Sequence, residues 1–431
     1  MIYNVKPVVN PHPIEVRVPG SKSITNRALL IAALSNGRST LKGVLFSDDS
    51  RHFIQALIDL GFPVEVDEEN AIVSITGFGG KVPKKEASID VGSAGTAARF
   101  LTAFLGLSEG KYTIYSSEQM KKRPMKELLT ALGELGAKIT YLEEEYHFPF
   151  IIGNSGCSKN RIEIDVDKSS QFLSALLISS VLFKDDFHID VVGEHGMAYV
   201  EMTIKMMEQF GISVSLSSVV EEGHTAGYTV TGGATYDSRD YHIEPDLSAA
   251  CYFYAMGAVL KVPAKVFGVY RKSLQGDIQF ISLLEDMGCR VKEEADGIVV
   301  FPSEKALKGG CWNLSSFSDQ ALTLAVIAPL CDSKVVIEGI GHIRYQECDR
   351  MNAIITNLKT LGIKAEMTDT SITIEPGVFH AADIETYEDH RVAMSFTIPG
   401  LLTEGVNIVD PMCCRKTFEN YFEVLEEAVL K

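Results

Sequence analysis

The chain has 431 residues, which is too long for one ordinary hydrophobic core and predicts two domains. Its net charge of −17 argues against nucleic acid as a partner, and its 46% hydrophobic content is that of a soluble globular protein. The longest apolar runs, such as 249–260, are too short to span a bilayer, and residues 1–6 lack the pattern of a signal peptide. We therefore expect a cytoplasmic protein without a membrane partner.

The first predicted helix begins at a cluster of hydroxyl and cationic side chains. Residues 18–27 read VPGSKSITNR and lead straight into the apolar run 28–34. The first backbone N–H groups of a helix lack internal partners and the helix dipole is positive there, so Lys22, Ser23 and Arg27 would complete an anion site. The alternative is an ordinary capped helix with both cations in solvent.

Self-similarity along the chain predicts six repeats. Five helical stretches end at a glycine that typically forms a left-handed C-cap, and an alternating strand follows each. These glycines are Gly61, Gly136, Gly211, Gly288 and Gly362, spaced by 75, 75, 77 and 74 residues. A second set of apolar helices begins at polar positions with the same period, at Ser23, Thr96, Gln171, Leu247, Gln320 and Arg391. Each repeat is predicted to run strand, helix, strand, helix, strand, strand.

Each repeat also has a second helix, which again begins at polar residues. Examples of these starts are Asp49, Arg123, Tyr199, Asp277 and Arg350. A sixth glycine would fall beyond residue 431, so we expect the last repeat to borrow closing strands from the N-terminus, where 14–18 alternates as a strand.

Three repeats make one domain of an α/β protein. We predict one domain at 21–235 and a second, discontinuous domain built from 1–20 and 236–431. The two crossings, near 19–21 and 232–240, are predicted to form a two-stranded hinge that permits domain closure. Cations at the turn-to-helix junctions of an acidic chain suggest a cleft for a small, highly anionic ligand.

The eight cysteines are scattered, without a Cys-x-x-Cys pair or a histidine at ligand spacing. This pattern predicts free thiols in a reducing compartment and no metal site. We expect the adjacent Cys413 and Cys414 to be buried free thiols; the alternative is that this pair is redox-active.

Several motifs together carry a family resemblance. They are GSKSITNR at 20–27, GSAGTA at 92–97, KRP at 122–124, SSQ at 169–171, ECDR at 347–350, DHR at 389–391 and KTF at 416–418. With these motifs the chain resembles, end to end, the 5-enolpyruvylshikimate-3-phosphate synthase family of enolpyruvyl transferases. The resemblance implies two domains that form an inside-out α/β barrel. It also implies a monomer that needs no metal or organic cofactor.

The implied reaction belongs to aromatic amino acid biosynthesis in the shikimate pathway. The enolpyruvyl (1-carboxyvinyl) group of phosphoenolpyruvate passes to the 5-hydroxyl of shikimate 3-phosphate, and phosphate is released through a tetrahedral intermediate. The resemblance implies that shikimate 3-phosphate is bound by Lys22, Ser23, Arg27, Ser169, Ser170, Gln171, Tyr199, Asp319 and Gln346. It implies that phosphoenolpyruvate is bound by Lys22, Gly95, Thr96, Arg123, Gln171, Arg350, Arg391 and Lys416.

Asp319 and Glu347 match the acidic pair of the family and are the implied catalytic acid and base, with Lys22 as a third catalytic residue. Which carboxyl performs which step stays open. As single residues, Asp319 also fits a helix N-cap, and Glu347 with Arg350 also fits a plain helix ion pair.

The sequence departs from the family pattern at several positions. Gln346 stands where lysine is common, His342 where asparagine is, Gly196 where a phosphate-binding serine is, and Phe100 where proline is. We expect altered phosphate contacts and an altered surrounding for the inhibitor glyphosate, but the same reaction class. We hypothesise that Arg344 supplies the positive charge that the lysine common at position 346 would provide.

Three other functions are alternatives to enolpyruvyl transfer onto shikimate 3-phosphate. A sister family acts on UDP-N-acetylglucosamine, but its usual loop cysteine is missing from 115–124. A non-catalytic anion-binding relative has support only in the departures at Gln346 and Gly196. A P-loop phosphotransferase is disfavoured because the sequence around Lys22 lacks GxxxxGK[ST].

Overall fold

The structure is a computed structural model that describes residues 1–154, 156, 159–217 and 223–431. Cys157 lies outside the described residues. The chain forms two compact units. We call Gly20–Ile243 the continuous unit, and Met1–Pro19 together with Glu244–Lys431 the discontinuous unit.

The chain begins with two short strands and then builds the continuous unit. The strands are β1 (Ile2–Asn4) and β2 (Ile14–Val16). The first repeat contains α1 (Lys22–Leu34), β3 (Asn36–Lys42), α2 (Asp48–Asp59), β4 (Val64–Asp67) and β5 (Ile72–Phe78). The second contains β6 (Glu86–Asp90), α3 (Gly95–Gly106), β7 (Lys111–Tyr115), α4 (Glu118–Lys121), α5 (Lys126–Glu134), β8 (Lys138–Tyr141) and β9 (Phe150–Gly153). The third contains β10 (Arg161–Asp165), α6 (Gln171–Ser179), β11 (Phe187–Val192), α7 (Met197–Gln209), β12 (Val214–Leu216) and β13 (Ala226–Val230).

The remaining repeats lie in the discontinuous unit, after strand β14 (Asp240–His242). The fourth contains α8 (Leu247–Leu260), β15 (Ala264–Phe267), α9 (Gln279–Asp286), β16 (Arg290–Glu294) and β17 (Gly297–Phe301). The fifth contains β18 (Gly310–Asn313), α10 (Ala321–Ile327), β19 (Val335–Glu338), α11 (Arg350–Thr360), β20 (Ala365–Met367) and β21 (Ile372–Ile374). The sixth contains β22 (Ala382–Ile384), α12 (His390–Ser395), α13 (Thr397–Leu402), β23 (Val406–Val409), α14 (Tyr421–Leu425) and the π-helical turn Glu426–Leu430.

The described strands form six sheets, one for each repeat. In the second repeat the order is β6-β7-β9-β8, with β6 and β7 parallel and the other pairs antiparallel. The third and fifth sheets repeat this order with their own strands, β10-β11-β13-β12 and β18-β19-β21-β20. The parallel pair follows from the helical crossover between β6 and β7, and the antiparallel pair β9-β8 follows from the hairpin that joins these two strands.

The core of each unit is built from the first helices of its repeats. In the continuous unit α1, α3 and α6 pack against one another, and every residue of α3 is buried. In the discontinuous unit α10 packs against α8 and α12, and α10 and α12 are buried throughout. A helix that is buried on all sides must be enclosed by other elements. Helices therefore occupy the centre of each unit, as the inside-out α/β prediction requires.

The predicted helix boundaries are confirmed to within one residue for the first helices, since α1, α3, α6, α8, α10 and α12 begin at Lys22, Gly95, Gln171, Leu247, Ala321 and His390. The five repeat glycines have φ values between 83° and 105°, the left-handed conformation expected of a glycine that follows a helix.

The borrowed strand of the sixth repeat is not the predicted one. Strand β1 pairs antiparallel with β23, with Ile2 opposite Val409, and completes the sheet β1-β23-β22. Strand β2, which the sequence assigned to this role, instead lies parallel to β15 and opens the sheet of the fourth repeat. The fourth repeat needs it because β14, the strand that precedes α8, lies parallel to β3 in the first repeat.

The second boundary between the units lies at Ile243–Glu244, whereas the sequence placed it at 235. The pairing of β14 with β3 keeps the chain in the continuous unit up to that point. The hinge at the two crossings stays a prediction. Among the described residues, no helix combines the length and apolar character that a membrane span requires.

Candidate active site

The candidate site residues form one cluster in each unit. The continuous unit carries Lys22, Ser23, Arg27, Gly95, Thr96, Arg123, Ser169, Ser170, Gln171 and Tyr199. The discontinuous unit carries Asp319, Gln346, Glu347, Arg350, Arg391 and Lys416.

In the continuous unit, hydrogen bonds join the starts of the first helices. The Asn26 amide donates to the Thr96 hydroxyl at 2.6 Å, which links α1 to α3. The Arg99 guanidinium donates to the Gln171 side-chain oxygen at 3.3 Å, which links α3 to α6. Three helix N-termini therefore lie at one end of the unit, where their free N–H groups and dipoles favour an anion.

Lys22 stands in the first turn of α1, directly after the N-cap residue Ser21. Its Nζ lies 3.5 Å from Oδ2 of Asp49, and the side chains are 14% and 2% exposed, respectively. The sequence named Asp49 only as a start of a second helix. Its phase within the repeat was the available signal, but it was not used to place Asp49 near Lys22.

Arg27 is buried and is used inside the protein. Its guanidinium donates to the Thr203 hydroxyl at 2.7 Å, to the Ser23 carbonyl at 3.0 Å and to the Tyr199 carbonyl at 3.2 Å. Burial lowers the pKa of Arg27 to about 10. These bonds tie α1 to α7, so Arg27 fixes the positions of Ser23 and Tyr199.

Arg123 is the cation that offers unused donors. Its Nε and Nη1 are buried and have no hydrogen-bond partner among the described residues. A Cβ at Gly95 would lie 2.6 Å from Nη1, so only glycine lets this guanidinium approach the start of α3 so closely. Buried N–H donors beside a helix N-terminus fit an anionic group of a ligand.

Gly196 precedes α7 with φ +65°, a conformation that a side chain disfavours. A Cβ there would lie 2.5 Å from the Ser170 Oγ. Ser170 thus fills the space beside the position where the family commonly has a serine.

We expect Gly196→Ala to destabilise the continuous unit by about 1–2 kcal/mol, because it adds left-handed strain and a contact with Ser170. Hydrogen exchange of the α7 amides should become correspondingly faster. Gly133→Ala is the matched control: nothing lies within 4 Å of its Cβ inside α5, so it should stabilise by about 0.5–1 kcal/mol. Equal exchange in both variants would contradict the strain at Gly196.

In the discontinuous unit the site is organised around Arg350, whose side chain is 1% exposed. Nη1 donates to Asp319 at 2.9 Å and to Gln346, while Nη2 donates to Glu347 at 2.8 Å and to Asp389 at 3.3 Å. Nε donates to the second Asp389 oxygen at 2.8 Å. All five N–H groups of the guanidinium thus bind protein acceptors.

Two further cations hold the same carboxylates. Arg391 Nη2 lies 2.8 Å from Asp319 Oδ2, and Lys416 Nζ lies 4.0 Å from Glu347 Oε1. Burial alone would lower the pKa of Arg350, but the surrounding carboxylates raise it well above its usual value. The cations and the carboxylates balance in charge, and this balance makes burial of the cluster tolerable.

Sequence reasoning missed one member of this cluster. Asp389 is fully buried, binds Arg350 through both oxygens, and accepts from the Arg391 backbone N–H at 2.9 Å as the N-cap of α12. Its position in the DHR motif, just before a first-helix start, was the available signal, but this residue was given no role of its own from the sequence.

The alternative interpretation of Asp319 as a helix N-cap is wrong. The N-cap residue of α10 is Gln320, and the Asp319 carboxylate contacts Arg350 and Arg391. Glu347 does pair with Arg350 across three positions, but it precedes α11 and shares its partner with Asp319.

The positions that depart from the family pattern also have defined places. Gln346 accepts from Arg350, and the His342 ring nitrogen lies 2.8 Å from the Ser318 hydroxyl. Arg344 pairs with Asp349 at 3.0 Å. Whether it replaces the cation lost at Gln346 stays a prediction.

Among the described residues, no three His, Cys, Asp or Glu side chains are grouped to hold a metal ion. The seven described cysteines are free, with Cys414 buried and Cys413 half-buried.

Comparison with known proteins places this geometry in context. The family model of EPSP synthase (3-phosphoshikimate 1-carboxyvinyltransferase) matches residues 10–425. A 3-phosphoshikimate 1-carboxyvinyltransferase of Trichormus variabilis is 40% identical over 408 residues, 94% of each chain. That of Haemophilus influenzae is 38% identical over 425 residues, 96% of each chain. A solved EPSP synthase from Acinetobacter baumannii has a TM-score of 0.83 at 23% identity, covering 100% of this chain and 98% of that chain. The structural likeness confirms the predicted α/β fold.

Proposed function

The chain belongs to the EPSP synthase family, and from this membership we infer that it transfers the carboxyvinyl group of phosphoenolpyruvate to the 5-hydroxyl of shikimate 3-phosphate. The observation that carries this function is the arrangement of Asp319 and Glu347 on the two ends of one buried guanidinium. This arrangement presents two carboxylates for proton transfer beside cations that attract an anionic substrate.

The substrates together carry two phosphates and two carboxylates, so binding requires fixed cations and hydroxyl donors. In the continuous unit, Lys22 supplies a charge at the start of α1, and Arg123 supplies buried donors beside Gly95. We assign phosphoenolpyruvate to Arg123, and the shikimate 3-phosphate hydroxyls and phosphate to the Ser169–Gln171 turn. Arg27 acts indirectly, since its donors hold the Ser23 and Tyr199 carbonyls.

The cluster of the discontinuous unit must rearrange when it binds substrate. Since all five N–H groups of Arg350 hold protein acceptors, an anion binds this guanidinium only by displacing one of them. Displacement of Asp319 or Glu347 detaches a carboxylate from its cation and makes it a stronger base. Binding of phosphoenolpyruvate to Arg350 thus prepares the group that accepts the proton.

Proton transfer then follows the addition and elimination steps. The 5-hydroxyl oxygen bonds to the central carbon of phosphoenolpyruvate, its proton passes to a carboxylate, and the vinyl CH₂ gains a proton. In the second step the new methyl group loses a proton and the carbon–oxygen bond to phosphate breaks. Asp319, Glu347 and Lys22 are the groups we assign to these transfers.

The alternatives have less support. The relatives described above are all named 3-phosphoshikimate 1-carboxyvinyltransferase, which does not favour transfer to UDP-N-acetylglucosamine. A non-catalytic anion-binding role leaves the pairing of Asp319 and Glu347 on Arg350 without a purpose. We further propose a cytoplasmic monomer that acts on these two small molecules and not on nucleic acid.

The test is release of inorganic phosphate by the purified protein. We expect release with phosphoenolpyruvate and shikimate 3-phosphate, and none when UDP-N-acetylglucosamine replaces shikimate 3-phosphate. Release with neither acceptor would contradict the enzymatic function, and release with only the nucleotide sugar would move the chain to the sister reaction.

A further inference from the structure

One buried carboxyl near Asp319 has no part in the chemistry described so far. Asp277 lies in the 3₁₀ turn Gly276–Ile278, directly before α9, and is 5% exposed. Its Oδ2 accepts from the Ser248 hydroxyl, while Oδ1 is buried without a hydrogen-bond partner among the described residues. An ionised carboxylate with so few donors is costly to bury.

Helix α8 connects this carboxyl to the site. It packs against both the turn that carries Asp277 and the turn Ser318–Gln320 that carries Asp319. Ser248, the donor to Asp277, belongs to the first turn of α8. Asp277 therefore lies at the N-terminal end of α8, close enough to Asp319 for the two charges to interact.

The charged surroundings of Asp277 are mixed. Burial, then the nearby negative charge of Asp319, raises the pKa of Asp277 to about 7, while Arg391 and the Ser248 hydroxyl act in the opposite direction. Asp246, the N-cap of α8, also raises it. The Cys251 thiol also faces Asp277, and burial together with the charge of Asp277 raises the pKa of this thiol.

We propose that Asp277 is a positioning residue for the proposed reaction, one that acts through Arg391 and Asp319 and sets how strongly their pair attracts the anionic substrate. When Asp277 carries a proton, Arg391 faces the single charge of Asp319 and retains attraction for phosphoenolpyruvate. When Asp277 is ionised, a second negative charge opposes the substrate anion and weakens its binding. This inference rests on the proposed function.

The test is the pH profile of kcat/KM for phosphoenolpyruvate. In the unaltered protein kcat/KM should fall about tenfold as pH rises through an inflection near 7, the size of one pKa unit of interaction. Asp277→Asn keeps the shape of the side chain and removes the charge, so its profile should lack this inflection and lie about tenfold higher at pH 8.5. Ser248→Ala removes a hydrogen bond that favours the ionised form, so its inflection should move to higher pH.

Other results would contradict either the role of Asp277 or the proposed function. An inflection that persists in Asp277→Asn, or activity lowered equally at every pH, would overturn the assignment because a merely structural role leaves the profile unchanged in shape. Absence of phosphate release from the unaltered protein would refute the proposed function instead.

If the protein releases no phosphate, the pH dependence of its stability still tests the protonation of Asp277 without substrate. The folded-state pKa of Asp277 exceeds its unfolded value, so its contribution to stability is present at acidic pH and is lost as pH rises toward and through 7. Unfolding followed by Trp312, the single tryptophan of the chain, should show this loss in the unaltered protein and a smaller one in Asp277→Asn. Equal pH dependence in the two proteins would overturn the inference.

Discussion

Lys22→Ala should lower kcat by about 10²–10³-fold or more while the protein still folds, because it removes a fixed charge at the helix start where we propose that the substrate anion binds. The lysine Nζ lies 3.5 Å from Asp49, which is 2% exposed, so the variant also loses the cation beside a buried carboxylate. That loss should cost on the order of 1–3 kcal/mol of stability. Phosphate release and circular dichroism measure the two effects.

Lys85→Ala is the matched control for this prediction. The Lys85 Nζ lies at the same 3.5 Å from its partner Glu109, but both side chains are exposed. An exposed ion pair contributes little, so activity and stability should stay close to those of the unaltered protein. If Lys22→Ala were as active as Lys85→Ala, the assignment of Lys22 to the active site would be wrong.

Arg350→Ala should destabilise the discontinuous unit by about 3–5 kcal/mol and abolish turnover. The substitution leaves Asp319, Glu347 and the fully buried Asp389 without their common partner. Trp312 lies in β18 of the same unit, so its fluorescence during urea unfolding reports on this unit alone. We expect the transition to move to lower urea concentration.

Two further variants separate charge from geometry at this position. Arg350→Lys keeps a positive charge but cannot reproduce five donors in a planar fork, so it should recover only part of the stability. Arg271→Ala removes an arginine whose ion pair with Glu285 spans 2.7 Å at the surface of the same unit, and it should change stability by less than about 1 kcal/mol. An Arg350→Ala transition that coincides with that of Arg271→Ala would refute the central role of Arg350.

The repeat architecture could be predicted because its signals are local. A polar residue before an apolar helix and a glycine after the next helix mark boundaries within a few positions of the chain, as at Gln171 and Gly211. Strand pairing is not local. Residues 14–16 have the alternation of an edge strand, but nothing in that pattern distinguishes β15 from β23 as its partner.

The charged residues of the candidate site were predictable, but their neutral hydrogen-bond partners were not. The family resemblance singled out Arg350, Asp319 and Glu347, and the structure does bring these together. The hydrogen-bond acceptors of Arg27 were not predictable. The Thr203 hydroxyl and the Tyr199 carbonyl lie more than 170 residues away and carry no charge, and the sequence marked Tyr199 only as a helix start and an implied binding residue. Buried neutral partners leave little trace in a sequence.

The pairing of the N-terminal strands has a consequence for the order of folding during synthesis. Every strand of the continuous unit is present once Ile243 has left the ribosome, whereas β1 must wait for β23, some 400 residues later. Until their partners are synthesised, β2 (which pairs with β15) and β1 (which pairs with β23) are exposed to other chains. Both have only three residues, and Pro7, Pro11 and Pro13 occupy the segment between them, so they offer little edge for intermolecular pairing. Strand β1 is thus separated from its partner by almost the whole sequence, and its brevity protects the nascent chain meanwhile.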